Sequence, residues 1–188
     1  MHNKAFAARF VIPGLLLFVL AAMSAVGAEQ KSKNVSSRAR LAEAVRHELA
    51  MLPYYGVFDN LQFQVRGIDT VVLQGQVVRP SLKRDAEEAV QRLERVGKVV
   101  NEIEVLPVSP NDDRIRAAQY RAIFSRPGLD RYGMQANPPI HIVVKNGHVT
   151  LVGVVASESD RNLAYIAANS VPGVFSVKSY LRVENRKS

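Results

Sequence analysis

Residues 71–77, VVLQGQV, return 78 positions later as residues 149–155, VTLVGVV. The same offset pairs Ala86 with Ala164, Ala89 with Ala167 and Val96 with Val174. It goes on to pair Val99 with Val177, Ile103 with Leu181 and Val105 with Val183. Upstream the offset shortens to 74, pairing Leu41 with Ile115, Ala44 with Ala118, Leu49 with Ile123 and Pro53 with Pro127. A repeat at this spacing means that one structural unit is built twice, which excludes most single-core architectures of this length.

Each copy spells the same order of elements. Leu41, Ala44, Val45, Leu49 and Leu52 recur at helical spacing, and Pro53, like Pro127 in the second copy, stops the helix. Alternating apolar residues follow, Leu61-Phe63-Val65 and Ile140-Ile142-Val144, as in half-buried strands. Asn146-Gly147 predicts a two-residue hairpin turn, since both central residues must accept positive φ; Gly67-Ile68-Asp69 is a looser version. A second helix is predicted from about Ser81 to Val96 and from about Glu158 to Val171, the latter opened by a capping-box-like pair, Ser157 and Asp160. One last strand closes each copy, Val99–Val105 and Val177–Val183. The order α-β-β-α-β implies an α+β fold of two tandem modules, each a three-stranded mixed sheet with two helices packed on one face. Residues 36–105 and 114–185 are the two modules. Residues 106–113, rich in proline and polar residues, are the linker and end in candidate N-caps.

These residues carry a family resemblance. The pattern Val149-Thr150-Leu151-Val152-Gly153-Val154-Val155, then Arg161, then Pro172-Gly173-Val174 and Val177 to Val183 resembles the BON-domain family. Copy one repeats it with Gly75, Arg84 and Val96 to Val105, but has Arg95 where Gly173 stands. The resemblance implies a non-enzymatic, envelope-located binding module. Similar tandem proteins include osmotically inducible periplasmic proteins and outer-membrane lipoproteins that bind anionic phospholipids. Read physically, Gly75 and Gly153 mark a bulge or the close approach of another backbone, and a helix crossing tightly over the sheet accounts for both.

Ahead of the repeat lies an export signal. Lys4 and Arg9 precede an apolar run from Phe10 to Met23, and Val26 and Ala28 satisfy the small-x-small rule, so residues 1–28 are read as a leader cut after Ala28. The alternative is an uncleaved anchor, Phe10–Ala28 being just long enough to span a membrane. Residues 29–35 form a basic lead-in, where Lys31 and Lys33 are followed by Arg38 and Arg40. The whole chain carries a formal charge of +8; without Lys4 and Arg9 it has 23 basic and 17 acidic residues, a net of +6. Outside the cytoplasm that excess points away from nucleic acid and toward anionic phospholipid or a membrane surface, met peripherally. An envelope protein is the alternative partner. The absence of cysteine excludes disulfide scaffolds, thiolate metal sites, cysteine nucleophiles and lipidation at cysteine.

No catalytic constellation is present, and no cofactor or metal is expected. There is no phosphate loop, nucleophile elbow or dinucleotide fingerprint. His47 faces outward from the first helix, and His141 and His148 lie at opposite ends of one hairpin; all three read as lone solvated side chains. Asp112-Asp113 sits at a helix start, where acids are favoured without catalysis. The candidate contact residues lie in the loops after each first helix: Tyr54 and Tyr55 in copy one, and Arg126, Leu129, Arg131, Tyr132 and Met134 in copy two. Tyrosines and apolar residues among arginines suit the headgroup level of a membrane. Gly75, Gly153 and Gly173 are assigned structural roles.

Overall fold

The computed structural model describes residues 34–135 and 137–184. The expected leader and Lys31 and Lys33 lie outside the described residues. The first module contains helix α1 (34–50), strands β1 (Asn60–Arg66) and β2 (Thr70–Val77), helix α2 (Pro80–Gln91), and strands β3 (Lys98–Asn101) and β4 (Glu104–Val105). The second contains α3 (Pro110–Phe124), the short α4 (Asp130–Gly133), β5 (Ile140–Lys145), β6 (His148–Val155), α5 (Glu158–Asn169) and β7 (Ser176–Val183). In both, the hairpin strands pair antiparallel and the last strand joins β2 or β6 in parallel. The fold is α+β, as the repeat predicts.

Each sheet keeps one face for its helices. In the first module Leu41, Val45 and Leu49 of α1 and Leu82, Ala86 and Val90 of α2 close over Val71, Leu73 and Val77 of β2. In the second, Ile115 and Ile123 of α3 and Ala164, Ala167 and Ala168 of α5 close over Ile142, Val144, Leu151 and Leu181. Truncating a fully buried leucine such as Leu151 costs about 2–5 kcal/mol. The even-numbered residues of β1 and β2 point away from this core, as do His141, Val143 and Lys145 of β5 and their neighbours on β6 and β7.

Local chemistry moves several boundaries. Both second helices end before their apolar stripes do, at Gln91 and Asn169 in place of Val96 and Val171, because the chain turns through left-handed residues, Arg95 (φ 74) and Gly173 (φ 84). The strand predicted over Val99–Val105 is two strands. Asn101 Oδ1 accepts from the Ile103 backbone N–H at 3.2 Å, while its Nδ2 donates to the Lys83 carbonyl at 2.9 Å, so a side chain competes with the ladder at that point. Ser179 stands at the equivalent place in β7, which runs unbroken. The Asn146-Gly147 turn has positive φ at both residues (52 and 76), as a two-residue hairpin of this kind requires.

The third helix is capped by Ser109, ahead of the Asn111–Asp113 group, with Pro110 at its first position. Asp112 is nearly fully buried. Its carboxylate accepts from the backbone N–H groups of Asn146 and Gly147, both at 2.8 Å, and so clamps the hairpin turn to the helix start.

Gly75 and Gly153 are set by their neighbouring strand and not by a helix. A Cβ at Gly75 would lie 1.9 Å from the Asn60 carbonyl oxygen, and one at Gly153 would lie 1.9 Å from that of Pro139. Both glycines also have φ values that side chains avoid, 113 and 136.

Candidate functional site

The loop after α3 is held from within. Leu129 is fully buried and Tyr132 is 6% exposed, so neither presents its side chain to a surface. The Tyr132 hydroxyl donates to Asp160 Oδ2 at 2.9 Å and accepts from the Ala156 N–H at 2.8 Å. Arg131 reaches the same carboxylate oxygen at 2.6 Å and stacks its guanidinium over the Tyr132 ring, 4.8 Å from the centroid. Asp160 therefore does less as a helix cap than its sequence neighbourhood implies. Ser157 Oγ accepts from the Asp160 N–H, but the Asp160 carboxylate turns to α4. Gly133 packs against Phe124 so closely that a Cβ there would lie 3.0 Å from the ring.

What remains outside is a corner at the end of α3 and α4. Met134 is 77% exposed, and Arg121 and Arg126 are exposed near it in sequence. Arg131, although tied to Asp160, keeps half of its side chain in solvent. A shallow hollow of about 220 Å3 joins Tyr120, Arg121, Ser125, Asp130 and Met134 on this corner.

The loop after α1 behaves differently. Tyr54 is exposed, takes φ 65, and lies under the Arg79 guanidinium at 5.0 Å. Tyr55 turns the other way and stacks on His141 of the second module, with ring centroids 5.2 Å apart. His141 is thus half-buried and partnered, a correction to its reading as a solvated histidine. Its Nδ1 lies 3.3 Å from the Gly56 carbonyl, which can only accept, so Nδ1 carries the proton and Nε2 accepts from the Tyr55 hydroxyl at 3.3 Å. Burial lowers the His141 pKa and pushes that of Tyr55 up to about 12. Burial also raises the carboxyl of Asp59, whose oxygens accept from the Val78 and Gly56 N–H groups at 2.8 and 3.2 Å. Beyond this seam, the Val57 carbonyl accepts from the Ile142 N–H at 2.7 Å, and Phe58 packs edge-on against Tyr120 of α3. The structure therefore brings the copy-one loop onto the second module, beside the helix that carries the arginine corner. No signal in the sequence foretells the Tyr55–His141 pair, since the two residues are 86 positions apart.

His47 is exposed, and His148 is exposed with its Nδ1 2.7 Å from Ser176 Oγ. Among the described residues no group of histidines and acids is placed to hold a metal ion, and no helix is long and apolar enough to cross a membrane.

A family model described as the BON domain matches the chain twice, over residues 37–107 and 111–185. The chain belongs to the BON-domain family. Both modules are BON domains, and membership suggests a binding module of the cell envelope. Among curated proteins, none matches the sequence. Two solved structures of CdsD, described as a structural protein of the type III secretion system of Chlamydia trachomatis, are similar at low identity. Its C-terminal domain is 11% identical over 76% of this chain and 96% of that one, with a TM-score of 0.31. A second CdsD structure is 12% identical over 77% and 92%, with a TM-score of 0.29. Likeness at this level carries no argument about what the tandem BON pair binds.

Proposed function

We propose that this tandem BON protein is a non-enzymatic binding protein of the bacterial periplasm. It associates peripherally with anionic phospholipid surfaces in the maintenance or stress protection of the envelope. The observation that carries the reading is Met134, 77% exposed at the end of a helix whose Leu129 and Tyr132 are buried. A long, unbranched apolar side chain held out from an anchored corner, with Arg121, Arg126 and the solvent half of Arg131 nearby, suits the headgroup boundary. Each arginine near an anionic leaflet contributes about 1 kcal/mol, so the corner gives measurable but reversible binding.

Co-sedimentation with phosphatidylglycerol and phosphatidylcholine vesicles at two salt concentrations tests this. The bound fraction should be high only on the anionic vesicles, fall with salt, and drop several-fold in Met134→Asp and in the Arg121→Ala/Arg126→Ala double variant. Equal binding to both lipids, or no loss in either variant, refutes the assignment. The second reading is a protein-interaction module without lipid binding. It is favoured by the exposed Phe175, Ile166 and Tyr165 of the second module, and a pull-down that recovers a stoichiometric envelope protein free of lipid would support it.

A further inference from the structure

The open faces of the two sheets line one cleft of about 700 Å3, away from the arginine corner. Strand register lays out its two walls. On the first module Asn60, Gln76 and Glu104 form one cross-strand row, and Gln62 and Gln74 form the next. On the second module the rows that face the cleft are Lys145–His148, Val143–Thr150–Lys178 and Val152–Tyr180. Lys145 Nζ and Glu104 Oε1 meet at 2.5 Å across the gap, joining the two walls.

The carboxamides are held in two short chains. Asn60 donates to Gln76 Oε1 at 3.1 Å, Gln62 to Asn60 Oδ1 at 3.3 Å, Gln64 to Gln74 Oε1 at 3.2 Å, and Gln74 to Glu102 at 2.8 Å. Fixing them in advance lowers the entropy cost of any ligand that uses them. Among the described residues, the polar groups on these walls that have no hydrogen-bond partner within the chain include Gln76 Nε2, Gln62 Oε1, the Asn146 carboxamide, the Thr150 and Tyr180 hydroxyls and the Lys178 ammonium. Tyr180 is 62% exposed and adds a flat apolar ring.

We infer that this cleft binds a short glycan bearing acetamido groups. The volume falls within the range of small-ligand sites. Lys145 is neutralised by Glu104, so the walls hold too little unpaired charge for a polyphosphate. Val143, Val152 and Leu106 are too few to bury an acyl chain. An extended peptide needs a strand edge to pair with, whereas these walls are sheet faces, where only side chains reach. A sugar ring meets all of these conditions. Its hydroxyls donate and accept at every unit, its acetamido group matches a carboxamide donor for acceptor, and its C–H face packs on a tyrosine ring.

The test uses the full chain and the N-acetylglucosamine tetramer, followed by titration calorimetry and amide chemical shifts. Saturable binding is expected, with shifts concentrated at Gln62, Gln74, Thr150 and Tyr180. Tyr180→Ala and Gln62→Ala, both at exposed positions and checked for an unchanged circular dichroism spectrum, should each weaken binding about tenfold or more. The glucose tetramer, which lacks acetamido groups, should bind at least tenfold more weakly. Absence of saturable shifts at millimolar tetramer overturns the inference. So do shifts confined to other surfaces, equal affinity for both sugars, or cleft shifts caused by an extended peptide and not by the sugar.

Discussion

At the scale of single residues, the two copies solve one turn with different chemistry. Gly173 enters the left-handed region freely, while Arg95 does so with a side chain, at a cost of about 1–2 kcal/mol. Arg95→Gly should therefore stabilise the chain by about 1 kcal/mol, raising its thermal midpoint by about 2–4 °C. An unchanged or lower midpoint would show that the arginine is compensated elsewhere. The strand glycines carry the opposite expectation. A Cβ at position 153 meets a carbonyl oxygen at 1.9 Å in a backbone conformation that side chains avoid, so Gly153→Ala should destabilise by about 3 kcal/mol or more in urea unfolding. That both glycines are structural was legible from their place inside strand patterns. What approaches them was not, because the carbonyl that fills the space comes from the adjacent strand, and pairing register is invisible in a single stretch of sequence.

At the scale of elements, the helices and strands were legible because periodicity reports which face is buried. Their ends were not, wherever a side chain competed for the backbone. Asn101 interrupts the last strand of the first module by taking the Ile103 N–H, and nothing in the apolar pattern Val99–Ile103–Val105 announces it. Asp112 shows the same limit. An acid at a helix start reads as a partner for the helix dipole, yet this carboxylate is spent on the turn between β5 and β6. Asp112→Ala removes two charge-assisted hydrogen bonds and should cost about 2–3 kcal/mol, with the amide protons of Asn146 and Gly147 exchanging markedly faster while those of α2 keep their protection. Uniform acceleration across both modules would instead mark a global loss. From its sequence the loop after α3 reads as a contact surface. Its buried half, Leu129 and Tyr132, anchors the turn that carries Arg131 and Met134.

At the scale of the whole molecule, the modules meet through groups that sense pH. The half-buried imidazole of His141 has a lowered pKa, so above about 6.5 both folded and unfolded chains leave it neutral. Below that value the unfolded chain takes up a proton that the folded chain resists, and stability declines as the pH falls toward the folded value. Asp59 acts in the opposite sense. Burial raises its carboxyl, so as the pH falls the folded chain takes up that proton before the unfolded one, which opposes the loss at His141. Tyr55, raised to about 12, removes stability as the pH climbs from 10 toward 12, where the unfolded chain ionises first. The urea midpoint should thus be lower at pH 5.5 than at 7.5, and His141→Asn should flatten that difference; an undiminished slope in the variant would place the titration elsewhere. One other contact at this seam reaches further. The Val57 carbonyl occupies the Ile142 N–H on the outer rim of β5, a strand that among the described residues otherwise pairs only with β6. An unpaired strand rim is a template on which other chains add. The first module's loop is therefore also a guard against self-association, and a second module excised from its partner should form larger assemblies in light scattering than the two-module chain at the same concentration.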